Sequence, residues 1–419
     1  MQLFDRINNN RKQEGLAVST IFYLKRFYAG MINLLIKLLG ASTKLVIKLE
    51  KFLPLKNYII FECENDMDDN PRALYEYLIE NKYDYKYKII WIVNDVQFCK
   101  KNYSHKHVVF ISRHNEKRIN VILLNYYLNC SRYFIFSHPY WFKKCKEEQI
   151  VFNIDHGLPM KKARSEKDYE IAKCFDYIIC PSEFMVPIFL KRYRCQKNQL
   201  VHFGYPRCDY LYGDDKQVFS QFFQYNNSSK IIMCMPTFRQ ANNAVDANNE
   251  DPYCLGVITD DEMMRAFNSL LEKHNIHIVV KPHPLQRVDK VKTVEYSNIH
   301  YLFNKDIFLK KAILYQLLGS SDALISDLSS VCYDYSITGK PMAHFMYNIE
   351  SYSRGSIWDN IDEFIHGYRI NTYNDLVSFV RCVKDGIDEF RDSRKEFTNR
   401  VWDNNVKDSS KKIAEWLLR

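Results

Sequence analysis

The sequence predicts an α/β protein made of two successive domains, preceded by a basic segment at its N terminus. From residue 57 onward, short apolar runs alternate with helical patterns, as in parallel sheets with helices on both faces. A polar stretch at 213–230 interrupts this alternation, and a second series follows it. We therefore expect an amphipathic helical arm at 1–56, an N-terminal domain at 57–215, and a C-terminal domain at 216–419 with closing helices.

Composition supports a folded chain and argues against several classes of site. The 419 residues are 47% hydrophobic and 15% aromatic, which is typical of globular domains. The sequence contains no GxGxxG or GxxxxGK[ST] phosphate loop. Its 12 cysteines are dispersed without any CxxC pair, which argues against a zinc ribbon or a thioredoxin-type centre and suits a reducing compartment.

The arm holds most of the excess positive charge. Residues 1–55 contain nine basic and three acidic side chains, which supply +6 of the net +9. The nearly neutral body argues against general nucleic-acid binding. On a helical wheel five of the basic residues share one face, opposite an apolar stripe that includes Leu34, Leu38 and Leu45. These five are Arg26, Lys37, Lys44, Lys48 and Lys51.

An amphipathic basic helix is typical of segments that lie in the plane of an anionic membrane. Charges interrupt every apolar stretch before it reaches the ~18 residues that a spanning helix needs. We therefore expect a peripheral protein at the cytoplasmic face of the cell membrane. The alternative is an N-terminal helix packed on its own domain with a solvated lysine face.

The apolar runs of the body predict the strands in chain order. In the first domain they lie at 58–61, 89–93, 108–111, 133–136, 151–154 and 177–180, with helices at 72–80 and 117–129. In the second domain they lie at 231–235, 276–280, 323–325 and 342–345, with helices at 261–274 and 376–384. We interpret the polar stretch 242–251 as a loop.

Polar clusters follow four of the predicted strands. They contain His156 and Lys161; Thr237 and Arg239; Lys281 and His283; and Asp327, Ser329 and Ser330. Ligands of doubly wound sheets gather at the carboxyl ends of strands, where free N–H groups attract anions. Each cluster alone also fits a turn or a helix cap. Four of them in two domains indicate an anion-binding cleft.

No strong metal site is predicted, and we expect no cofactor. Asp66 and Asp68 form a DxD pair, which is a metal–nucleotide signature in some transferases. The same run leads into Pro71, however, and is better interpreted as the start of a helix. It also lacks the glycine and the glutamate of a calcium-binding loop.

Taken together, the motifs resemble those of the CDP-glycerol glycerophosphotransferase family, whose members build teichoic acids and related capsule polymers. The resemblance spans roughly residues 57–385. It rests on His156-Gly157-x-Pro159-x-Lys161, Gly204-Tyr205-Pro206-Arg207-x-Asp209, Pro236-Thr237-x-Arg239, Lys281-Pro282-His283-Pro284 and Ser326-Asp327-x-Ser329-Ser330.

The resemblance implies a GT-B-like fold, in which two Rossmann-like domains face each other across a cleft. It also implies a reaction in which an acceptor hydroxyl attacks the phosphorus that bears the glycerol and CMP leaves. His156 matches the family's general base, and Arg239 and His283 match residues that hold the diphosphate. Lys281, Ser329, Ser330, Asp327 and Thr237 are expected on the donor side. Lys161 and Arg207 are candidate acceptor or charge contacts.

We therefore expect transfer of glycerol phosphate, or of a related alditol phosphate, from a CDP-alditol to a lipid-linked or polymer acceptor. Two alternatives stay open. One is a glycosyltransferase of the same fold that uses a nucleotide sugar. The other is a non-catalytic scaffold at the membrane surface. The sequence does not distinguish glycerol from ribitol or a primer enzyme from a polymerase, and it leaves the acceptor and the oligomeric state open.

Overall fold

Two parallel sheets organise the molecule, which is described by a computed structural model. The structure describes residues 53–114, 118–138, 144–162, 173–237, 251–283, 291, 293, 295–347, 356–403 and 407–418. The predicted arm, with Arg26, Lys37, Lys44, Lys48 and Lys51, lies outside the described residues, and so does Arg239. Within the described part, no helix is both long enough and apolar enough to cross a bilayer.

The first sheet contains seven parallel strands in the order β3-β2-β1-β4-β5-β6-β7. The strands are β1 (Lys56–Glu62), β2 (Lys88–Val93), β3 (Val108–Ser112), β4 (Ser131–Phe136), β5 (Ile150–Asn153), β6 (Tyr177–Ile179) and β7 (Leu200–Val201). Its helices are α1 (Asp69–Glu80), α2 (Val96–Tyr103), α3 (Arg118–Cys130) and α4 (Val186–Tyr193). The central strand β1 is apolar on both faces because helices cover both sides of the sheet.

The second sheet contains six parallel strands in the order β10-β9-β8-β11-β12-β13. The strands are β8 (Lys230–Cys234), β9 (Ile276–Val280), β10 (Ile299–Tyr301), β11 (Ala323–Ser326), β12 (Met342–Phe345) and β13 (Tyr368–Ile370). Its helices are α5 (Asp261–His274), α6 (Asn304–Leu309), α7 (Leu314–Ser320), α8 (Val331–Ser336) and α9 (Tyr373–Asp385). In both sheets the strand order reverses beside the first strand, which creates a crevice at the carboxyl ends.

The ten strands predicted from apolar runs are all present within a few residues of their expected bounds. The prediction missed β7, β10 and β13, which have two, three and three residues. Such short strands show no periodicity that distinguishes them from a loop.

The last two helices of the described part are α10 (Arg391–Trp402) and α11 (Ser409–Leu417). Helix α10 lies against α8 of the second domain, where Trp402 donates a hydrogen bond to the carbonyl of Tyr333, and α11 returns to the first sheet. Trp416 packs against Phe152 of β5, with ring centroids 5.4 Å apart, and Tyr87 beside β2 donates a hydrogen bond to the carbonyl of Leu418. Both closing helices were predicted as part of the second domain. In the structure, α11 instead covers part of the first, since Trp416 packs against Phe152, Tyr177 and Phe203.

Candidate functional site

A cleft of about 760 Å³ lies between the two domains, at the carboxyl ends of both sheets. Loops after β1, β4 and β5 form its N-terminal wall, and loops after β8, β9 and β11 form its C-terminal wall. Eight of the predicted site residues line this cleft. They are His156, Lys161, Arg207, Thr237, Lys281, His283, Ser329 and Ser330.

His156 follows β5 on the N-terminal wall, and its side chain is half-exposed. Its Nδ1 lies 3.2 Å from Oδ1 of the buried Asp155. The surrounding protein disfavours the charged imidazole, but the hydrogen bond and charge of Asp155 outweigh this and raise the pKa of His156 above its ordinary value. A solvent-accessible imidazole beside a carboxylate is suited to accept a proton near neutral pH.

A second histidine covers the ring of His156. His138, just after β4, stacks on it with ring centroids 4.5 Å apart. Its Nε2 lies 3.1 Å from Oε2 of Glu64, and this contact lowers the pKa of Glu64 to about 2. The stack limits the positions that the His156 ring can take.

Gly157 brings the His156 loop against the other domain. Its φ is +150°, a backbone conformation that side chains rarely adopt, and a Cβ at this position would lie 2.5 Å from Oγ of Ser330. Farther along the loop, Tyr333 of α8 donates a hydrogen bond to the carbonyl of Pro159, and Lys161 pairs with Ser356 in an isolated β-bridge. The loop that carries His156 is therefore held directly against the C-terminal domain.

Lys281 is the buried cation of the C-terminal wall. It follows β9, is 4% exposed, and its Nζ lies 2.6 Å from Oδ1 of Asn304 at the start of α6. Burial lowers the pKa of this lysine to about 8. The ammonium is thus poorly solvated before any ligand arrives, which favours binding of an anion beside it.

His283 lies two residues farther on and is half-buried. Burial, together with the charges of Lys281 and Lys161, lowers its pKa to about 3. In the ligand-free protein this imidazole is neutral at physiological pH. It can therefore offer a hydrogen bond to a phosphate oxygen, and it gains a proton only if that phosphate raises its pKa.

Asp327 does not line the cleft itself but holds a residue that does. Both of its carboxylate oxygens accept a hydrogen bond from the backbone N–H of Thr237 at 3.0 Å, and Oδ2 also accepts one from the Thr237 hydroxyl at 2.8 Å. The bonds join the loop after β11 to the loop after β8. Thr237 lines the cleft, whereas the buried Asp327 fixes its position.

Arg207 joins the two domains. Its Nη1 donates to Oδ1 of Asp69 at 2.5 Å and to the carbonyl of His156 at 2.6 Å, while Nη2 donates to Oδ2 of Asp334 on α8 at 2.6 Å. Asp334 is fully buried and also accepts a hydrogen bond from Tyr315. The sequence suggested a ligand contact for this arginine, whereas the structure shows its guanidinium engaged with the protein itself.

Three residues of the site were not singled out from the sequence. Asp155 and His138 surround the ring of His156, and Tyr193 of α4 donates a hydrogen bond to Oδ2 of Asp155. Asp155 directly precedes the motif that begins at His156, but nothing in the sequence shows that its carboxylate turns back toward the next residue. His138 and Tyr193 lie 18 and 37 residues from His156 in the chain, so no local pattern joins them.

Across the described ranges, no three His, Cys, Asp or Glu side chains lie close enough together to hold a metal ion. Asp66 of the DxD pair instead accepts hydrogen bonds from the backbone N–H groups of Asn94 and Asp95, at 2.7 and 2.6 Å. This aspartate therefore fixes the turn after β2.

Comparison with known proteins places the site in context. A sequence profile for CDP-Glycerol:Poly(glycerophosphate) glycerophosphotransferase matches residues 45–419. A teichoic acid poly(glycerol phosphate) polymerase of Bacillus spizizenii is 25% identical over 86% of this chain and 91% of its own length. A teichoic acid glycerol-phosphate transferase of Staphylococcus aureus is 25% identical over 92% of this chain and 99% of its own length.

The fold is also that of a solved structure. The wall teichoic acid polymerase TagF superposes with a TM-score of 0.70 at 19% identity, over 91% of this chain and 94% of the matched chain. The likeness confirms the predicted fold class, which is GT-B-like, with two Rossmann-like domains that face each other across a cleft.

Proposed function

The chain belongs to the CDP-glycerol:poly(glycerophosphate) glycerophosphotransferase family, and from this premise we propose that it transfers glycerol phosphate from CDP-glycerol to a polymer hydroxyl. CMP is the second product. This step belongs to the synthesis of a teichoic-acid-type polymer of the cell envelope.

One observation carries the proposal. A half-exposed histidine with a carboxylate partner, His156, lines the same cleft as a wall that contains Lys281, His283, Ser329 and Ser330. Phosphoryl transfer needs both parts, namely a group that takes the hydroxyl proton and donors that stabilise the charge on the phosphates. The two parts come from different domains and meet only in the folded protein.

In the proposed reaction the diphosphate of the donor lies against the C-terminal wall. The acceptor hydroxyl lies beside His156 and attacks the phosphorus that bears the glycerol. A new O–P bond forms while the bond from this phosphorus to the bridging oxygen breaks, and CMP leaves with the bridging oxygen. His156 takes the hydroxyl proton, and Lys281 stabilises the negative charge of the leaving phosphate.

We further propose roles for the polar groups around Lys281. Ser329 and Ser330, which directly precede α8, offer hydroxyl groups to phosphate oxygens, and neutral His283 offers a ring nitrogen. Arg239, outside the described residues, stays a predicted diphosphate ligand because of its place in the family motif. Lys161 stays a predicted charge contact. We propose that the transfer needs no metal ion, and unchanged turnover in EDTA is the expected result.

The donor assay tests the function directly. Purified protein is incubated with CDP-glycerol labelled in the glycerol and with an oligo(glycerol phosphate) primer that ends in a free hydroxyl. Equal amounts of CMP and of label in the primer are expected. CDP-ribitol and UDP-sugars are tested in parallel. Release of UDP from a UDP-sugar, with no CMP from either CDP-alditol, would contradict the proposal and favour a glycosyltransferase, and release of neither nucleotide would favour a scaffold.

The acceptor is proposed to be lipid-linked and the enzyme to be peripheral at the cytoplasmic face of the membrane. The support is the sequence pattern of Arg26, Lys37, Lys44, Lys48 and Lys51, which would share one face of a helix and so suit anionic lipid headgroups. Deletion of residues 1–52 is expected to abolish co-sedimentation with vesicles that contain anionic lipid. Transfer to a soluble primer should persist. Unchanged sedimentation of the truncated protein would overturn the membrane role.

A further inference from the structure

The residue before His156 has an unusual backbone conformation. Asp155 follows β5 with a φ of +50°, in the left-handed region, which few side chains adopt and which aspartate and asparagine tolerate best. In this conformation its Oδ1 turns back toward the next residue. It accepts a hydrogen bond from the backbone N–H of His156 at 2.7 Å and lies 3.2 Å from Nδ1 of the ring.

The second carboxylate oxygen and the backbone groups of Asp155 are also held by hydrogen bonds. Tyr193 donates a hydrogen bond to Oδ2, Asn153 accepts one from the backbone N–H at 2.9 Å, and Asn70 donates one to the carbonyl at 2.8 Å. The residue is 2% exposed. A buried carboxylate held at both oxygens and at both backbone groups has little freedom to turn away from the imidazole.

We propose that Asp155 is the positioning residue for His156. A carboxylate only accepts hydrogen bonds, so the contact at Nδ1 keeps the ring proton on that atom and leaves Nε2 as the proton acceptor. This inference deepens the proposed glycerophosphate transfer and rests on it. The half-exposed His156 is the group that meets the acceptor, whereas Asp155 acts only through the imidazole.

The proton balance of the step is simple. The acceptor hydroxyl loses its proton to Nε2 of His156 as its oxygen forms the new bond to phosphorus and the bond to CMP breaks. The imidazolium that results carries one positive charge, which lies against the negative charge of Asp155. After transfer, Nε2 returns the proton to solvent and the neutral tautomer is restored.

Other charged groups around His156 come from several elements. Asp69 at the start of α1 favours the imidazolium, and Arg207, which donates to the carbonyl of His156, opposes it. His138 stacks on the ring and is paired with Glu64, and His283 lies on the opposite wall. Among these groups, the Asp155 carboxylate is the one in contact with a nitrogen of the ring, at Nδ1. Its effect outweighs the others, and the pKa of His156 is raised.

The first test does not depend on turnover. Histidine-labelled protein is titrated by NMR, and the His156 signal is assigned with His156→Gln. In the wild type we expect the Nδ1–H tautomer. In Asp155→Asn, which suits the same backbone conformation, the midpoint for His156 should fall by about one pH unit. Asp408→Asn, at an exposed aspartate with a φ of +56°, is the matched control and should change nothing.

The second test uses the transferase assay. Asp155→Asn should lower turnover about 10- to 100-fold, less than loss of the base itself, and move the acidic limb of the pH profile to lower pH, while the affinity for CDP-glycerol stays the same. Tyr193→Phe keeps the charge, so it should lower turnover only a few-fold without moving that limb downward. If the His156 titration is unchanged in Asp155→Asn, the proposal is wrong even if the transfer reaction is confirmed.

If wild-type protein transfers nothing, the proposed function fails, and the NMR titration still decides whether Asp155 sets the tautomer and the pKa of His156. A lowered midpoint in Asp155→Asn supports the positioning role in that case too. An Nε2–H tautomer in the wild type overturns it.

Discussion

The two walls of the cleft differ in charge and in what they can do. The N-terminal wall contains carboxylates, cations and histidines together. The carboxylates are Glu62, Glu64, Asp68 and Asp69, the cations are Arg72, Arg113, Lys161, Arg192 and Arg207, and the histidines are His138 and His156. Among the described residues of the C-terminal wall there is no carboxylate, and its polar groups are a lysine, a histidine, an asparagine and hydroxyl groups. A carboxylate in contact with an imidazole raises its basicity, whereas a buried lysine on a wall without described carboxylates attracts phosphates.

This difference indicates a division of labour. In the proposed reaction the N-terminal wall presents His156 to a neutral hydroxyl, and the C-terminal wall receives the diphosphate of the donor. A lysine in contact with the imidazole would lower its pKa and weaken it as a base, and carboxylates beside the diphosphate would repel the donor. Arg207 then has a separate task, which is to hold the two walls at a fixed separation.

The largest expected effect comes from the base. His156→Ala should lower turnover about 10²- to 10⁴-fold, because the hydroxyl proton then has no acceptor. The matched control is His105→Ala. His105 lies with its Nδ1 3.2 Å from Oδ2 of Asp84, the same kind of pair, but it does not line the cleft. Steady-state CMP release measures both variants, and full activity of His156→Ala would exclude it as the base.

The second effect concerns the connection between the walls. Arg207→Met leaves Asp334 and Asp69 without their cation, and Asp334 is fully buried. Loss of one partner from a buried ion pair costs about 3–5 kcal/mol of unfolding free energy. Urea denaturation measures it. The control is Arg369→Met, at an exposed pair with Asp362, which should cost about 1 kcal/mol or less.

A different result for Arg207→Met would change the role assigned to Arg207, which is to connect the two walls. If its stability equals that of the wild type while the KM for the acceptor rises, the arginine is a ligand contact, as the sequence first suggested, and the two walls are held together by other contacts. Arg72, which donates to the carbonyls of Lys311 and Ala312 at 2.9 Å, would be the next candidate.

The smallest expected effect is on the pH dependence of activity. Each limb of the pH profile is expected to report on a residue of a different wall. The base works unprotonated, so activity should fall as pH drops through the raised pKa of His156. Lys281 works protonated, so kcat/KM should fall as pH rises through its pKa of about 8. A narrow, bell-shaped pH profile of kcat/KM is therefore expected. Lys281→Met should remove the alkaline limb and leave the acidic limb in place, and movement of both limbs would contradict separate roles.

Much of the fold follows from the sequence, because buried parallel strands are continuous apolar runs. Ile59, Ile60 and Phe61 in β1 are almost fully buried and were predicted as strand for this reason. Strands such as β7, with two residues, carry no such signal. The cluster residues at the strand ends were also predictable, since the carboxyl ends of parallel strands meet at one edge.

The contacts that could not be predicted from the sequence mostly join residues that lie far apart in the chain. Arg207 meets Asp334, 127 residues away, only after the two domains have docked. Asp155 meets His156 through a positive φ that no residue pattern specifies, and its second oxygen is held by Tyr193, 38 residues away. Patterns located the loops of this site, whereas the roles within them were set by tertiary contacts.

Calorimetric titration of CDP-glycerol into three proteins tests the division between the walls most directly. Wild type and His156→Ala should bind with the same affinity, and Lys281→Met should bind about 10- to 100-fold more weakly because a charged hydrogen bond to the diphosphate is lost. Lys340→Met is the control, since Lys340 is also partly buried with a lowered pKa but precedes β12, away from the cleft. Equal weakening in His156→Ala and Lys281→Met, or tighter binding of a UDP-sugar than of CDP-glycerol, would contradict the account.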